Sequence, residues 1–372
     1  MAFDLSKLGV KKNIPQVSFF EYSGLMIAPP KFGKTTLATL IPKSITCAFE
    51  LGYSGQVTDA IDIETWEDFI KFIDNLQKNR KEIGNDIKII AMDTVNRAYE
   101  MCGDYTLREL ARLATKKDKK GNLIVVKYNK PQDVPHGQFY SERDKFFSKQ
   151  LNRLISLGFK PFFTTHSEIK TVTPKVEEGQ PEQPSYDIYS TTMDKRCEKI
   201  IMPLVDYILY GKRIKTTDEI GNITSTRVLT SKGDTDVVAG NRVYIEEDIQ
   251  FETEEEAIEK FQECFGAVIQ ERLIKAGIMD DIKDIEKKQE EAKEKEINAY
   301  VDKEEKQAVE KEQKTEPVED TKSLINEITR LFKEATKDQK LGVKNILNGT
   351  KLVDADVNTL KKILADVFNV EQ

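Results

Sequence analysis

Residues 23–41 restrict this chain more than any other stretch. SGLMIA (23–28) is an apolar run of strand length, APPKFGKTT follows it, and KTTLATLI (34–41) carries a helical pattern. A strand that turns through a glycine-containing loop into a helix aims several backbone N–H groups at one point, which makes a seat for an anion. Residues 28–35 match the phosphate-binding pattern G-x-x-x-x-G-K-[ST] at every fixed position except the first, where Ala28 replaces glycine. Alanine serves there if its φ is negative. Gly33 lets the backbone come close to the phosphates, Lys34 brings a positive charge to them, and Thr35 offers a hydroxyl to Mg²⁺. The stretch Ala28, Pro29, Pro30, Lys31, Phe32, Gly33, Lys34, Thr35 and Thr36 is therefore expected to form a nucleotide seat.

A strand–loop–helix of this kind belongs in an α/β sheet, and the flanking sequence has that rhythm. SITCAF (44–49), DIKIIAMD (86–93) and KPFFTT (160–165) read as buried strands. ETWEDFIKFIDNLQKN (64–79), 94–114 and 139–158 read as helices, the last ended by Gly158. In the first of these, Trp66, Phe69, Ile70, Ile73 and Leu76 share a face, and Thr65 with Asp68 three residues on makes a capping box. Connections this long predict a mostly parallel sheet with helices on both faces. DIKIIAMD ends in Asp93, which places a carboxylate at the sheet edge beside the loop. It either joins the Mg²⁺ shell, directly or through water, or caps the helix that follows. Thr94 is placed to add a polar contact.

Beyond residue 200 the pattern changes. IIMPLVDYILYGKRIK, STRVLTSKG and NRVYIEED read as short strands joined at Gly221–Asn222, Gly233 and Gly240–Asn241, adding antiparallel edge strands to a core of 1–250. An amphipathic helix is expected within 251–279. Of the 41 residues in 280–320, 25 are charged, with both signs present, so this segment is expected to be a charged linker, either a solvated helix or a disordered tether. Periodicity returns in 321–372, a candidate three-helix module near the lower size limit for independent folding.

Composition narrows the chemistry. The four cysteines, Cys47, Cys102, Cys197 and Cys264, form no C-x-x-C pair, and His136 and His166 are the only histidines. Zinc frameworks and histidine-built metal centres are thereby disfavoured. No apolar run reaches the roughly 18 residues of a bilayer span, and MAFDLSKLGVKKN lacks a signal-peptide apolar region, so no membrane partner is expected and the cytoplasm is the expected location. The net charge of −7 opposes nucleic acid binding by the whole surface but permits a local basic face.

APPKFGKTT, CAFELGYSG, IKIIAMDT and PFFTTHSE occur in the order seen in RecA-like ATPases, and over residues 18–245 the chain most resembles phage RecA-like single-strand annealing proteins of the Sak type, an AAA-type nucleotide-binding phage protein. The resemblance implies ATP and Mg²⁺ as cofactors, ATP hydrolysis, a homo-oligomeric ring or filament, single-stranded DNA as partner, a single-strand DNA-binding protein as a further partner, and the host cytoplasm as location. It implies that Glu50 polarises the attacking water, where an ordinary loop glutamate is the alternative, and that His166 at the end of the fourth strand senses the γ-phosphate, where a structural hydrogen-bonding histidine is the alternative. It points to two strand-binding loops. Residues 114–140 carry Lys116, Lys117, Lys119, Lys120, Lys127 and Lys130 interleaved with aromatic residues; 168–196 carry Lys170, Lys175, Tyr186, Tyr189, Lys195 and Arg196. Solvated surface loops are the plain alternative for both. Lys212, Arg213, Arg227, Lys232 and Arg242 are candidates for a cation reaching a neighbour's phosphate. Two other functions stay open: a P-loop NTPase switch or loader recruiting a DNA replication partner through the C-terminal module, and a nucleotide-binding protein with little turnover.

Overall fold

The computed structural model describes residues 13–50, 52, 53, 55, 57–117, 123–173, 184–217, 223–233, 236–243, 245, 247–315, 318–347, 350–355 and 357–368. Lys119, Lys120, Lys175 and the expected Gly221–Asn222 turn lie outside them.

In chain order the first elements are β1 (Gly24–Ala28), α1 (Lys34–Leu40), β2 (Ser44–Ala48), β3 (Ala60–Asp62), α2 (Trp66–Lys78), α3 (Arg80–Ile83), β4 (Ile89–Asp93) and α4 (Val95–Ala114). A small ribbon follows, β5 (Lys116–Lys117) with β6 (Leu123–Ile124), then α5 (Gln138–Ser156), β7 (Lys160–Val172), β8 (Tyr186–Thr191), α6 (Lys195–Leu204) and β9 (Tyr207–Thr217). The sheet is completed by β10 (Ile223–Thr230), β11 (Gly240–Asn241) and β12 (Ile249–Phe251). The helices α7 (Glu254–Lys275), α8 (Ile282–Thr315), α9 (Val318–Glu334), α10 (Lys337–Leu347) and α11 (Val357–Phe368) end the chain.

The ten-stranded sheet runs β12-β10-β9-β1-β7-β4-β2-β3, with β11 on β9 and β8 on β7. The six strands from β9 to β3 are mutually parallel, and β10, β12, β11 and β8 join antiparallel. This is the expected α/β architecture, a mostly parallel core with antiparallel additions. One face packs on α2, α4, α5 and α6 through Trp66, Phe69, Phe147 and Leu151. The other packs on α1 and α7 through Leu37, Ala38, Phe261 and Phe265. In α2, Thr65 accepts the Asp68 amide at 3.2 Å as the capping box requires, and Phe72, not Ile70, joins the buried row. No helix among the described residues is long and apolar enough to cross a membrane.

Three expectations are corrected. The described parts of 168–196 are not a loop: β7 runs on to Val172 and pairs with β8 as a two-stranded arm, and Ile169 faces Tyr189 across it. Residues 200–204 are the end of α6, a helix, because Cys197 and Ile201 turn inward one helical step apart. In the segment 280–320 the structure has the helix of the two expected alternatives, but not a wholly solvated one. Helix α8 covers it to Thr315, and its first half belongs to a compact unit ending at Val301. Ile285, Ile297 and Val301 are buried there. Lys88, 4% exposed just before β4, pairs with both Glu21 and Glu290, and Lys293 also pairs with Glu21. High charge hid an apolar seam of widely spaced residues and a set of acids and bases with named partners. Gly158 admits the helix: its φ is +88°, and a Cβ there would run into the Ile297 side chain.

The second unit, Asp302–Gln372, has its own core of Leu324, Ile328, Val343, Leu360, Ile363 and Leu364.

Candidate functional site

The loop between β1 and α1 lies at the carboxyl end of the parallel strands, where α/β sheets carry their ligands. Ala28 is the last residue of β1 and pairs with His166 of β7, so it sits in extended backbone and a glycine is not needed. The left-handed positions fall instead on Lys31, with φ 60°, and on Gly33, with φ 110°. At Gly33 a Cβ would collide with the Glu254 carboxylate and press on Arg227, so both conformation and space call for glycine. Pro29 and Pro30 complete the approach to the turn, and Thr36 stands in the first turn of α1.

Lys34 is 6% exposed and spends its three protons inside the protein: on the carbonyls of Ala28 and Pro29, both at 3.0 Å, and on Nδ1 of His166 at 3.1 Å. An ammonium only donates, so Nδ1 accepts and the ring proton sits on Nε2. Nε2 faces Glu50 Oε2 at 3.8 Å. The third strand from β1, β2, delivers Glu50 because the amides of Phe49 and Glu50 both donate to the Asp93 carbonyl, at 2.8 and 3.3 Å. Thr94 donates to the other Glu50 oxygen at 2.6 Å. The His166 ring facing it holds Glu50 below the usual carboxylate range, with help from Thr94 and Lys34 against the opposing effect of burial. Burial lowers the Lys34 ammonium below an ordinary lysine, and Asp93 and Glu50 counter part of that.

Asp93 is buried at the end of β4, accepting from Thr35 Oγ1 at 2.6 Å and from the Thr164 hydroxyl. Thr35 and Asp93 therefore present two hard oxygen donors to one point. Among the described residues no group of three or more His, Cys, Asp and Glu side chains could hold a metal ion. Two protein oxygens with phosphate and water filling the rest is how Mg²⁺ is usually held, so the donor set fits Mg²⁺ with a nucleotide. All of Lys34, Thr35, Glu50, Asp93 and His166 thus meet at one end of the sheet, although 132 residues separate Lys34 from His166.

Sequence reasoning missed the wall on the other side of the loop. Arg213 and Arg227 stand opposite each other on β9 and β10. Arg227 donates to the Phe32 carbonyl at 3.3 Å, Arg213 makes a long contact of 3.4 Å to the Lys31 carbonyl, and Arg227 is ion-paired with Glu254 at the start of α7. Phe32, 1% exposed, meets Phe251 edge-on at 5.9 Å. These arginines brace their own chain's loop, and Arg242 pairs with Asp206 at the far end of β1, beside Ser23. Charge alone could not tell these cations apart; only the β9–β10 register does.

The described residues of the expected strand-binding segments include short strands. Lys116 stands on the β5–β6 ribbon, whose Leu123 and Ile124, with Val125 beyond, are exposed, and Tyr186 and Tyr189 are on the arm, each 42% exposed. The backbone of Thr192, just past the arm, donates to the His166 carbonyl at 3.0 Å, and its hydroxyl accepts from Asn96 at 2.9 Å.

Among protein families, the model described as an AAA domain matches residues 21–243, more than half of the chain. No curated protein matches it.

Proposed function

The chain belongs to the AAA domain family of P-loop ATPases, and on that premise we propose that it hydrolyses ATP and uses the cycle to control its hold on single-stranded DNA, promoting annealing or strand pairing as phage proteins of the Sak type do. The observation that carries this reading is the place of His166. It touches Lys34 on one side and approaches Glu50 on the other, and it sits on the strand that runs out into the β7–β8 arm. A change at the phosphates is thereby one residue from an element that exposes Ile169, Tyr186 and Tyr189.

In this mechanism Lys34 binds the β/γ phosphates, giving up its contact with Nδ1 of His166. Thr35 and Asp93 would hold a Mg²⁺, which would supply positive charge to the phosphates. Glu50, ionised and pinned by Thr94, orients a water and accepts its proton. His166 then reports whether Lys34 is occupied, because the two cannot keep their bond while Lys34 turns to a phosphate. A homo-oligomeric ring or filament in the cytoplasm, acting with a single-strand DNA-binding protein, is the assembly proposed.

Retention of labelled single strands on filters, with and without ATP, tests the reading together with the rate of annealing of complementary strands. ATP-dependent retention and annealing are expected; a protein that hydrolyses ATP but neither holds strands nor speeds annealing removes it. A switch or loader that recruits a replication partner is favoured by one observation, the compact second unit with its own core. A chain ending after Val301 that still anneals but no longer recruits that partner would combine the two readings.

A further inference from the structure

A cleft of about 600 Å³ opens past the carboxyl end of β1, between β7 and β9, within the size range of small-ligand sites, about 300–1,000 Å³. Pro29 of the phosphate loop forms its floor, Ile169 and Tyr189 of the arm one wall, and Tyr210, Lys212 and Arg213 of β9 the other. The walls are built. Tyr189 and Tyr210 meet edge-on with centroids 6.0 Å apart. The Tyr189 backbone is held on its outer edge, its amide donating to the Asp236 carbonyl at 2.6 Å and its carbonyl accepting from the Val238 amide at 2.9 Å. Ile169 lies directly across the arm from Tyr189 and is 60% exposed. Two large apolar side chains on a braced ribbon thus face solvent beside two cations. Among the described residues neither Lys212 nor Arg213 is in an ion pair, and the one acid that lines the cleft, Glu168, pairs with Lys170 at 2.8 Å.

A flat apolar plate next to unneutralised cations suits a nucleotide unit: a base on the plate, a phosphate on the cation. The base of the bound ATP and a base of a DNA strand share that chemistry. Position separates them. The cleft takes only Pro29 from the phosphate loop, and its apolar wall, Ile169 and Tyr189, stands on the exposed arm beyond Ser167, the residue after His166. We propose that the cleft between the arm and β9 seats one nucleotide of a single strand, its base against Tyr189 and Ile169 and its phosphate on Lys212. This rests on the strand-binding reading above and gives it a place: a strand there shares a wall with the phosphate loop through Pro29.

The test uses the full chain and an oligonucleotide carrying 5-iodouracil, photocrosslinked and mapped, with affinities measured by fluorescence anisotropy across a salt series. Crosslinks are expected on the arm at or beside Tyr189. Tyr189→Ala should weaken strand binding about 5- to 150-fold and Tyr189→Phe, which keeps the ring, should restore it. Lys212→Ala should lower the slope of log affinity against log salt by roughly 0.7. Should Tyr189→Ala fail to fold, the crosslink map and Lys212→Ala decide. Wild-type affinity and slope in these variants overturn the cleft while leaving strand binding elsewhere, for instance on the β5–β6 ribbon. A wild-type chain that binds no strand overturns both. Weakened binding of a fluorescent ATP analogue with unaltered strand affinity assigns the cleft to the adenosine and also overturns the proposal.

Discussion

Lys34 is held by two carbonyls and an imidazole in a place where burial disfavours its charge. Removing it relieves that cost, so Lys34→Ala should fold normally while losing ATP hydrolysis and much of its nucleotide affinity; phosphate release and anisotropy of a labelled nucleotide check this. Glu50→Gln keeps the size of the side chain but removes its ability to take a proton. Turnover should fall about 10²- to 10⁴-fold while nucleotide still binds. Loss of binding along with turnover would give Glu50 a structural or metal role. Arg227 neutralises Glu254, whose carboxylate stands over Gly33. Arg227→Ala should therefore weaken nucleotide binding by leaving a negative charge beside the phosphate seat, and Glu254→Gln in the same chain should recover part of the loss. A double-mutant cycle should show coupling of about 0.5–3 kcal/mol; simple additivity would mean the pair serves α7 alone.

At the scale of elements, α8 separates charge from disorder. Its first half is tied to the amino-terminal edge of the sheet by Glu290 on Lys88 and Lys293 on Glu21, with Ile297 set against Gly158. Ile297→Ala should cost about 2–5 kcal/mol, the range for deleting a buried aliphatic side chain. Chemical denaturation of the full chain measures it, and a change within a few tenths would mean the helix is not docked. Lys88 and Glu21 are buried ions, so stripping their partners is expected to be worse than the loss of surface pairs of the same kind.

For the whole molecule, the consequence is where the chain can be cut. Ending it near residue 279 removes Ile285, Ile297 and Val301 from the first unit and leaves its buried charges with fewer partners, so the melting temperature of the ATPase unit should drop. Ending it after Val301 follows the boundary between the units and should preserve both melting temperature and ATPase rate. Equal melting for the two truncations would restore a tether beginning at 280.

Local chemistry made part of this legible in advance. The phosphate loop, the three strands that flank it and the row Trp66, Phe69, Ile73 and Leu76 follow from turn chemistry and period, which act over a few residues, and so does Asp93 as a strand-end residue; His166 is expected at a strand's end but lies within β7, which runs on to Val172. The pairings that make a site of them do not. Thr164 reaches Asp93 because β7 lies beside β4, and Arg227 reaches Phe32 because β10 returns antiparallel along β9. Those are facts of register between segments far apart in the chain, set by which faces pack together. The arm was hidden because alternation weakens where both strand faces meet solvent, as Ile169, Tyr186 and Tyr189 do. The docking of α8 was hidden because its apolar contacts are few and its acids and bases look solvated until Lys88 and Glu21 are found buried beneath them. A charged residue in a sequence carries no mark of whether its partner is water or another side chain; only the folded packing decides that, by removing the water.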